Sequence, residues 1–303
     1  MLHRPLKPVI SRQIRKPILA ATSTRCFSDW RRNLTDKFNQ FMSMTPDGFA
    51  TKYGYTPPGA ALAQLLAKLF QKVGGSMIPP HNTICNCGAD LGLNLPRVDL
   101  VTKIPEIKHL SREWRMQVYG ASLYYHLATT SGERRVGNAP DMITGKDVLE
   151  IGCTRGGGAR YLAEVLEPKR YVAIDSDEKM IEECKAIHKE APANLEFQVA
   201  DVMKLQDTFP AESFDFVVCV QTLSLLPNVR EFLVEVARVL RPGGRLLLAD
   251  AFNRRELRTL LDAADELEFF LDAQADLSAA VYAVGICQVP SGVSYYRIVA
   301  RKI

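Results

Sequence analysis

The residues with the clearest chemical pattern are glycines that follow a short apolar run near the middle of the chain. The run Val148–Ile151 leads directly into the string GCTRGGG at residues 152–158, where a helical pattern begins. Glycine lets a backbone turn tightly and approach a ligand, and the start of a helix offers backbone N–H groups. This spacing predicts a ligand-binding loop between a strand and a helix.

The order of these glycines distinguishes between two classes of ligand. A dinucleotide-binding loop has the pattern G-x-G-x-x-G, with an acidic residue about 20 positions later. Here the stretch Gly152-Cys153-Thr154 interrupts that pattern, and Glu150 before the first glycine is foreign to it. The sequence therefore disfavours a nicotinamide-dependent oxidoreductase.

The loop belongs to a segment of alternating strands and helices that begins at Lys146. Continuous apolar runs predict strands at Val148–Ile151, Tyr171–Ile174, Leu195–Val199, Phe214–Val220 and Arg245–Ala249. Helical patterns between them cover Gly158–Leu166, Glu178–Lys189 and Val229–Leu240. Such strands are typical of a parallel sheet with helices on both faces. Two further runs, Ala280–Cys287 and Val293–Ala300, predict a terminal hairpin, and Arg112–Thr129 predicts a helix before the sheet.

Five short motifs follow one another between residues 150 and 244. They are EIGCTRGG at 150–157, YVAID at 171–175, FQVADV at 197–202, FDFVVCVQ at 214–221 and RVLRPGG at 238–244. In this order they resemble the motifs of class I S-adenosylmethionine-dependent methyltransferases. The resemblance implies an α/β fold: a Rossmann-like, mostly parallel sheet with an antiparallel C-terminal hairpin strand and an N-terminal helical cap.

The same resemblance implies that S-adenosyl-L-methionine is the cofactor. The residues expected to contact it are Glu150, Gly152, Cys153, Thr154, Gly156, Asp175, Ser176, Asp201, Val202 and Gln221. Asp175 is expected to accept hydrogen bonds from both ribose hydroxyls. Asp201 is expected to accept one from the adenine amino group, and Val202 to pack on the adenine ring. The alternative for Asp175 is a surface acid that caps the following helix.

Several strings outside the five motifs resemble a narrower group, the phthiotriol/phenolphthiotriol dimycocerosate methyltransferases. They are LYYHLAT at 123–129, GGGARYL at 156–162 and SYYR at 294–297. The wider resemblance is to ubiquinone- and sterol-methyltransferases. It implies O- or C-methylation of a small, lipophilic acceptor. The acceptor pocket is expected between Phe252 and Leu277, including Leu267–Leu271.

Two positions depart from the pattern of the resembling enzymes. Thr154 stands where the first motif has its middle glycine, and Leu225 stands where this branch usually has a histidine. The remaining catalytic candidates are His126, as a general base for a hydroxyl acceptor, and Tyr125, as a contact of acceptor or cofactor. The alternative for both is packing within a helix. A second hypothesis for the whole protein is a catalytically silent assembly or binding factor in mitochondria that keeps the methyltransferase fold.

The basic charge of the chain is concentrated at its beginning. Residues 1–28 contain six basic residues, no acidic residue and several Ser and Thr, which leaves 32 basic and 34 acidic residues elsewhere. This composition is typical of an organelle transit peptide. Mitochondrial import is predicted, with plastid or cytoplasmic localisation as alternatives. The predicted domains are a transit peptide at 1–28, an N-terminal extension and helical cap at 29–144, and the S-adenosylmethionine-binding domain at 145–303. No nucleic-acid partner is expected.

No metal site and no disulfide framework are expected from the cysteines. The seven cysteines are scattered, and His81, Cys85 and Cys87 offer only three ligands at a spacing unlike structural zinc sites. Methyl transfer from a sulfonium needs no metal. Leu62–Val73 predicts an amphipathic helix that packs on its own domain, with contact to a membrane surface as the alternative. No apolar run is long enough to span a membrane.

Overall fold

The computed structural model describes residues 83–84, 86, 88–102, 109, 111–129, 142–284 and 292–303. All of them belong to one compact unit that begins at Leu66. The predictions for residues 1–28, for the helix over Leu62–Val73 and for His81, Cys85 and Cys87 lie outside the described residues. The division of the chain at residues 28 and 144 stays a prediction.

The described helices and strands alternate after two N-terminal helices. The helices are α1 (Asp99–Thr102), α2 (Arg112–Thr129), α3 (Gly157–Leu166), α4 (Glu178–Ile187), α5 (Val229–Val239), α6 (Arg254–Glu266) and α7 (Ser278–Val284). The strands are β1 (Asp147–Ile151), β2 (Arg170–Asp175), β3 (Leu195–Val199), β4 (Phe214–Val220), β5 (Leu240–Asn253), β6 (Phe269–Asp276) and β7 (Val293–Lys302). Short 3-10 helices cover Val202–Asp207 and Leu223–Leu225.

The seven strands form one sheet in the order β3-β2-β1-β4-β5-β7-β6. Strands β1 to β5 are parallel, and β7 is antiparallel to both of its neighbours. From β1 the chain first extends the sheet on one side, through β2 and β3, and then on the other side, beginning with β4. Open α/β sheets bind ligands at such a reversal, outside the carboxyl ends of the strands. The mostly parallel sheet with an antiparallel C-terminal end, expected from the motif order, is confirmed.

Two apolar layers cover the sheet, one on each face. The first layer joins α2, α3, α4 and α7 to one face and contains Leu127, Tyr161 and Val281. The second joins α5, α6 and the 3-10 helix over Val202–Asp207 to the other face and contains Phe232 and Leu260. We call these the α2 face and the α5 face. Among the described residues, no helix has both the length and the apolar character required to cross a bilayer.

The end of the chain differs from the sequence prediction. Residues 278–284 form helix α7, so the predicted strand Ala280–Cys287 is wrong over its described part, while β7 confirms the strand at Val293–Ala300. The hairpin partner of β7 is β6. A short apolar run such as Ala-Ala-Val-Tyr-Ala-Val fits a helix or a strand, and its periodicity does not separate the two.

The inclusion of Leu267–Leu271 in the expected acceptor pocket also needs correction. Phe269 at the start of β6 lies beside Lys302, and Arg301 next to it lies beside Arg245, at the amino end of the parallel strands. Leu267–Leu271 therefore lies at the edge of the sheet opposite to the glycine loop, which follows the carboxyl end of β1. Within this segment Leu267 and Phe269 pack in the apolar layer of the α5 face, whereas Phe270 and Leu271 are exposed.

Candidate active site

The glycines of the loop are required by close packing of neighbouring side chains. Gly152 and Gly156 have φ angles of 74° and 71°, in the left-handed region. A Cβ atom at Gly152 would collide with the side chain of Thr222, and one at Gly156 with the ring of Phe197. The first amide of α3, that of Gly157, donates to the carbonyl oxygen of Thr83 at 3.1 Å, so it is not the open N–H group expected from the sequence.

Thr154 adopts a backbone conformation that favours glycine. Its φ angle is 49°, and its amide donates to Oδ2 of Asp175 at 3.1 Å. A β-branched residue with positive φ is a genuine outlier, and the left-handed conformation costs a non-glycine residue about 1–2 kcal/mol. The sequence departure at this position therefore stores strain in the loop.

Replacing Thr154 with glycine is expected to raise the free energy of unfolding by up to about 1 kcal/mol, because relief of strain exceeds the added entropy of the unfolded chain. Chemical denaturation monitored by circular dichroism measures the change. Glu268→Gly is the matched control, since Glu268 is exposed and also has a positive φ of 58°. A clear loss of stability in the Thr154 variant alone would mean that its side chain makes a stabilising contact.

Helix α4 holds the loop through three side chains that the sequence analysis missed. The Cys184 thiol donates to the carbonyl oxygen of Thr154 at 3.0 Å, and His188 Nε2 lies 2.8 Å from that of Arg155. Arg155 Nε in turn donates to Glu183 at 3.0 Å. Burial lowers the pKa of His188, which favours the neutral ring. The i,i+4 spacing of Cys184 and His188 was the available signal, because such residues share one helix face.

Asp175 lies at the carboxyl end of β2, directly beside the loop. Its side chain accepts the amides of Thr154 and Asp177, one on each oxygen, and its residue is 6% exposed. Burial raises the pKa of Asp175, while these backbone hydrogen bonds oppose the rise. Helix α4 is capped by Asp177, whose side chain accepts the amide of Lys179. The alternative reading of Asp175 as the helix cap is therefore wrong.

The other predicted cofactor contacts lie at the same edge of the sheet. Ser176 and Asp201 are exposed beyond β2 and β3, and Val202 is buried next to Asp201. The carboxylate of Asp201 also accepts the amide of Met203. Gln221 follows β4 with a φ of 51°, and its amide donates to Ala249. The structure thus brings these residues to one crevice, and their contacts with a cofactor stay predictions.

Glu150 lies beneath this crevice, in contrast to the prediction of a direct cofactor contact. The residue is 0% exposed, and its carboxylate accepts hydrogen bonds from the hydroxyl groups of Tyr124, at 2.9 Å, and Tyr171. Burial raises the pKa of Glu150 to about 7, although both hydrogen bonds oppose the rise. Cys153 is likewise buried, and its amide and carbonyl oxygen are hydrogen bonded to Ile174 and Gly156. Alternation along β1 turns Glu150 toward the α2 face, where the two tyrosines meet it.

Helix α2 brings Tyr124 to the loop, one residue before the predicted catalytic pair. The Tyr124 ring lies against Gly158, where a Cβ atom would collide with it. Tyr125 and His126 are half-buried. Burial raises the pKa of Tyr161 on α3, and the Tyr125 hydroxyl raises it further. Leu225 is half-buried in the 3-10 helix after β4. The catalytic roles of Tyr125 and His126 stay predictions.

A segment before α2 packs across the start of α3. Gln117, fully buried on α2, accepts the amide of Ile84 and donates to its carbonyl oxygen. Gly120 allows Ile84 to approach α2, and Gly88 allows contact with Tyr119. Part of the predicted N-terminal extension therefore packs against α2 and the start of α3.

The chemistry of these residues fits S-adenosylmethionine. A carboxylate has about four acceptor positions, so the two amides bound to Asp175 leave room for ribose hydroxyls. The polar groups of Ser176, Asp201 and Gln221 lie at the same edge, beside the half-buried backbone of Gly152. Within the described ranges, no group of three or more His, Cys, Asp or Glu side chains is arranged to hold a metal ion.

Comparison with known proteins agrees with this arrangement. Residues 149–248 match the family model described as a methyltransferase domain. A fatty-acid O-methyltransferase from Mycolicibacterium smegmatis is 38% identical over 158 residues, which are 51% of this chain and 53% of that protein. A phthiotriol/phenolphthiotriol dimycocerosates methyltransferase from Mycobacterium tuberculosis is 42% identical over 113 residues, 37% of this chain and 40% of that protein. The chain thus spans about half the length, or less, of these relatives.

Two solved structures share the fold at low sequence identity. The [4+2]-cyclase SpnF superposes with a TM-score of 0.57 at 16% identity, over 79% of this chain and 96% of that one. Geranyl diphosphate C-methyltransferase from Streptomyces coelicolor superposes with a TM-score of 0.56 at 14% identity, over 82% and 100%. The family match, the strand order and the first four motifs, which end at one edge of the sheet, agree with one another. Residues 149–248 match a methyltransferase domain, and the described residues have the fold of S-adenosylmethionine-dependent methyltransferases.

Proposed function

We propose that this protein is an S-adenosylmethionine-dependent methyltransferase that acts on a small, lipophilic acceptor. The observation that carries the proposal is Asp175, a buried carboxylate held beside the loop by the amides of Thr154 and Asp177. An oriented carboxylate at the end of the second strand suits a ribose. Residues 149–248 match a methyltransferase domain, so methyl transfer is the reaction that we propose for this site.

When bound, S-adenosylmethionine supplies a methyl group on a positively charged sulfur. The residues of this chain then bind the nucleoside and exclude water, so that the acceptor meets the methyl group in line. Helix α2 packs on the sheet beside the crevice and supplies the wall on the acceptor side. For a hydroxyl acceptor, His126 is the candidate base, an effect worth about 10²–10⁴-fold in rate.

The proposed acceptor is lipophilic because its side of the crevice is apolar. Ala249, Ala251, Ala275 and Leu277 belong to the apolar layer of the α2 face near the carboxyl ends of the strands. The named relatives act on a fatty acid and on phthiotriol lipids. Both O- and C-methylation fit this lining.

The test is transfer of labelled methyl from S-adenosylmethionine to a lipid extract of the source organism, followed by mass spectrometry of the labelled product. The proposal requires a labelled lipid with the wild-type protein and markedly less of it with Asp175→Ala. Labelling of aqueous metabolites alone would contradict the proposal that the acceptor is lipophilic. Absence of any labelled product would contradict the proposed activity.

A second candidate function is a catalytically silent assembly or binding factor in mitochondria. Thr154 and Leu225 favour it, because they replace a loop glycine and the usual histidine of the resembling enzymes. A neighbour with this fold is a [4+2]-cyclase, and one fold can serve unrelated functions. Such a factor would co-purify with a protein complex and would give no methyl transfer with any extract.

We further propose that residues 1–28 direct the protein into mitochondria. Exchange of these residues for a neutral tag of equal length is expected to abolish import, because the six basic residues are lost. Fluorescence microscopy of the tagged chains, with the same tag placed after Ile303 as the control, measures the effect. Unchanged localisation, or import into plastids, would contradict the proposal.

A further inference from the structure

Arg297 is a fully buried arginine in the middle of β7. The residue is 2% exposed and is the largest fully buried side chain among the described residues. Tyr295 and Val299, two positions before and after it, lie on the same face of the strand and belong to the apolar layer of the α2 face. Its neighbours across the sheet are two alanines, Ala249 on β5 and Ala275 on β6. A large cationic side chain is thus flanked by an alanine on each neighbouring strand.

The Arg297 guanidinium lacks a counter-charge within the part of the chain that the structure describes. No acceptor lies within hydrogen-bond distance of its Nε or Nη2 atom. Burial lowers the pKa of Arg297 to about 10, and no acidic group opposes the shift. Asp250 pairs with Tyr296, the residue before Arg297, in the strand register. Because side chains alternate between the two faces of a strand, Asp250 lies on the α5 face and Arg297 on the α2 face. By contrast, Arg301 on the same strand pairs with Asp272 at 3.1 Å. An ionised, unpaired side chain in an apolar layer is unfavourable unless a ligand compensates it.

The position of Arg297 places this charge on the acceptor side of the crevice. Arg297 is in register with Ala249, which is in register with Val220, the last residue of β4. The backbones of Arg297 and Val220 are therefore two strand spacings apart, which is about 10 Å. Val220 and Ala249 belong to the same apolar layer as the neighbours of Arg297. A continuous row of side chains therefore leads from the end of β4 to the buried guanidinium.

We propose that Arg297 binds the carboxylate of a lipophilic acid, which is the methyl acceptor. This inference rests on the proposed function and names its substrate class. The planar guanidinium fork matches a carboxylate with two parallel hydrogen bonds. The surrounding alanines supply no second cation, which favours a singly charged carboxylate over a phosphate. The apolar layer suits the alkyl chain of such an acid.

A carboxylate acceptor also explains the absence of a base at Leu225. One carboxylate oxygen forms a bond to the methyl carbon as the bond from carbon to sulfur breaks, and the electron pair of that bond stays on sulfur. The products are a methyl ester and neutral S-adenosylhomocysteine, and no proton is transferred. Oxygens paired with Arg297 keep lone pairs for this attack.

The test compares dodecanoate with dodecan-1-ol, two probes of equal chain length, on the full chain. Binding is measured by calorimetry without cofactor, and methyl transfer is measured with labelled S-adenosylmethionine. Wild type is expected to bind and methylate dodecanoate in preference to the alcohol. Arg297→Met is expected to weaken dodecanoate binding by about 30-fold or more. Its melting temperature should be equal or higher, because an unpaired buried charge is removed. Arg297→Lys keeps the charge without the fork and should give an intermediate affinity.

The control is Arg301→Met, on the same strand but paired at the opposite edge, which should bind dodecanoate like wild type. Wild type that fails to bind dodecanoate, or Arg297→Met that binds it as well as wild type, would overturn the inference. So would a marked loss of thermal stability in both Arg297 variants with unchanged dodecanoate binding. If wild type and Arg297→Met methylate dodecan-1-ol equally well, the inference is overturned, but the proposed function stands. Binding that depends on Arg297 without any methyl transfer would support carboxylate binding by Arg297, but it would contradict the role of the acid as methyl acceptor and the proposed activity.

Discussion

Replacement of Asp175 with alanine is expected to lower the affinity for S-adenosylmethionine by at least about ten-fold. Asp175 is the acidic residue at the end of β2, and its buried carboxylate is already oriented by the amides of Thr154 and Asp177. Loss of hydrogen bonds from both ribose hydroxyls to a charged acceptor removes at least about 1.4 kcal/mol of binding free energy, which corresponds to ten-fold. Isothermal titration calorimetry measures the change directly.

The matched control for this prediction is Asp215→Ala. Asp215 also accepts a backbone amide, that of Asp147, and pairs with Arg241 at 3.0 Å, but it lies at the amino end of the strands. Its replacement should reduce stability and leave cofactor affinity unchanged. If Asp175→Ala binds S-adenosylmethionine as well as wild type does, the assignment of Asp175 to the ribose is wrong.

Replacement of Glu150 with glutamine is expected to stabilise the protein at pH 8 by roughly 3 kcal/mol. Burial raises the pKa of Glu150 from its ordinary value of 4.5 to about 7. Between these two pH values the folded protein binds more protons than the unfolded chain, so wild-type stability falls as the pH rises, and the loss is complete just above pH 7. Glutamine is nearly isosteric and carries no charge, and the tyrosine hydroxyls rotate to meet it.

Urea denaturation between pH 5 and pH 8.5 tests this prediction. The difference in free energy of unfolding between Glu150→Gln and wild type should grow from pH 5 to just above pH 7 and then stay constant, which separates Glu150 from other titrating groups. The control is Glu182→Gln, a substitution at an exposed position of α4 that should follow the wild-type curve. Cofactor affinity should be unchanged, because Glu150 is fully buried. A variant that is less stable at pH 8, or that loses the cofactor, would contradict the assignment.

The first strands of the sheet could be predicted because the pattern that indicates each strand lies within a few neighbouring residues. Short continuous apolar runs gave β1 to β4 within one residue at each end, and α2 matches its prediction at Arg112–Thr129. Motif order added the cofactor, since the ends of parallel strands meet at one edge. The C-terminal part failed where local signals are ambiguous. Phe269–Asp276 mixes apolar and acidic residues, and only pairing with β7 makes it a strand.

The site residues divide in the same way. Asp175, Asp201 and Gln221 each follow a predicted strand, so their common edge could be inferred before the fold was known. Glu150 could not be placed, because its burial depends on Tyr124 and Tyr171, which are 26 and 21 residues away along the chain. The motif resemblance implied a cofactor contact, and the packing of two tyrosines removes that contact.

The amino-acid sequence by itself determined the class of fold, the glycine loop and the edge at which a ligand binds, because periodicity and short motifs act over neighbouring residues. Tertiary structure alone decided which polar groups are buried and which are paired. An arginine within a strand predicts nothing about its surroundings. In the folded chain the neighbours of Arg297 are alanines from two other strands, and the cost of an unpaired charge depends on those neighbours.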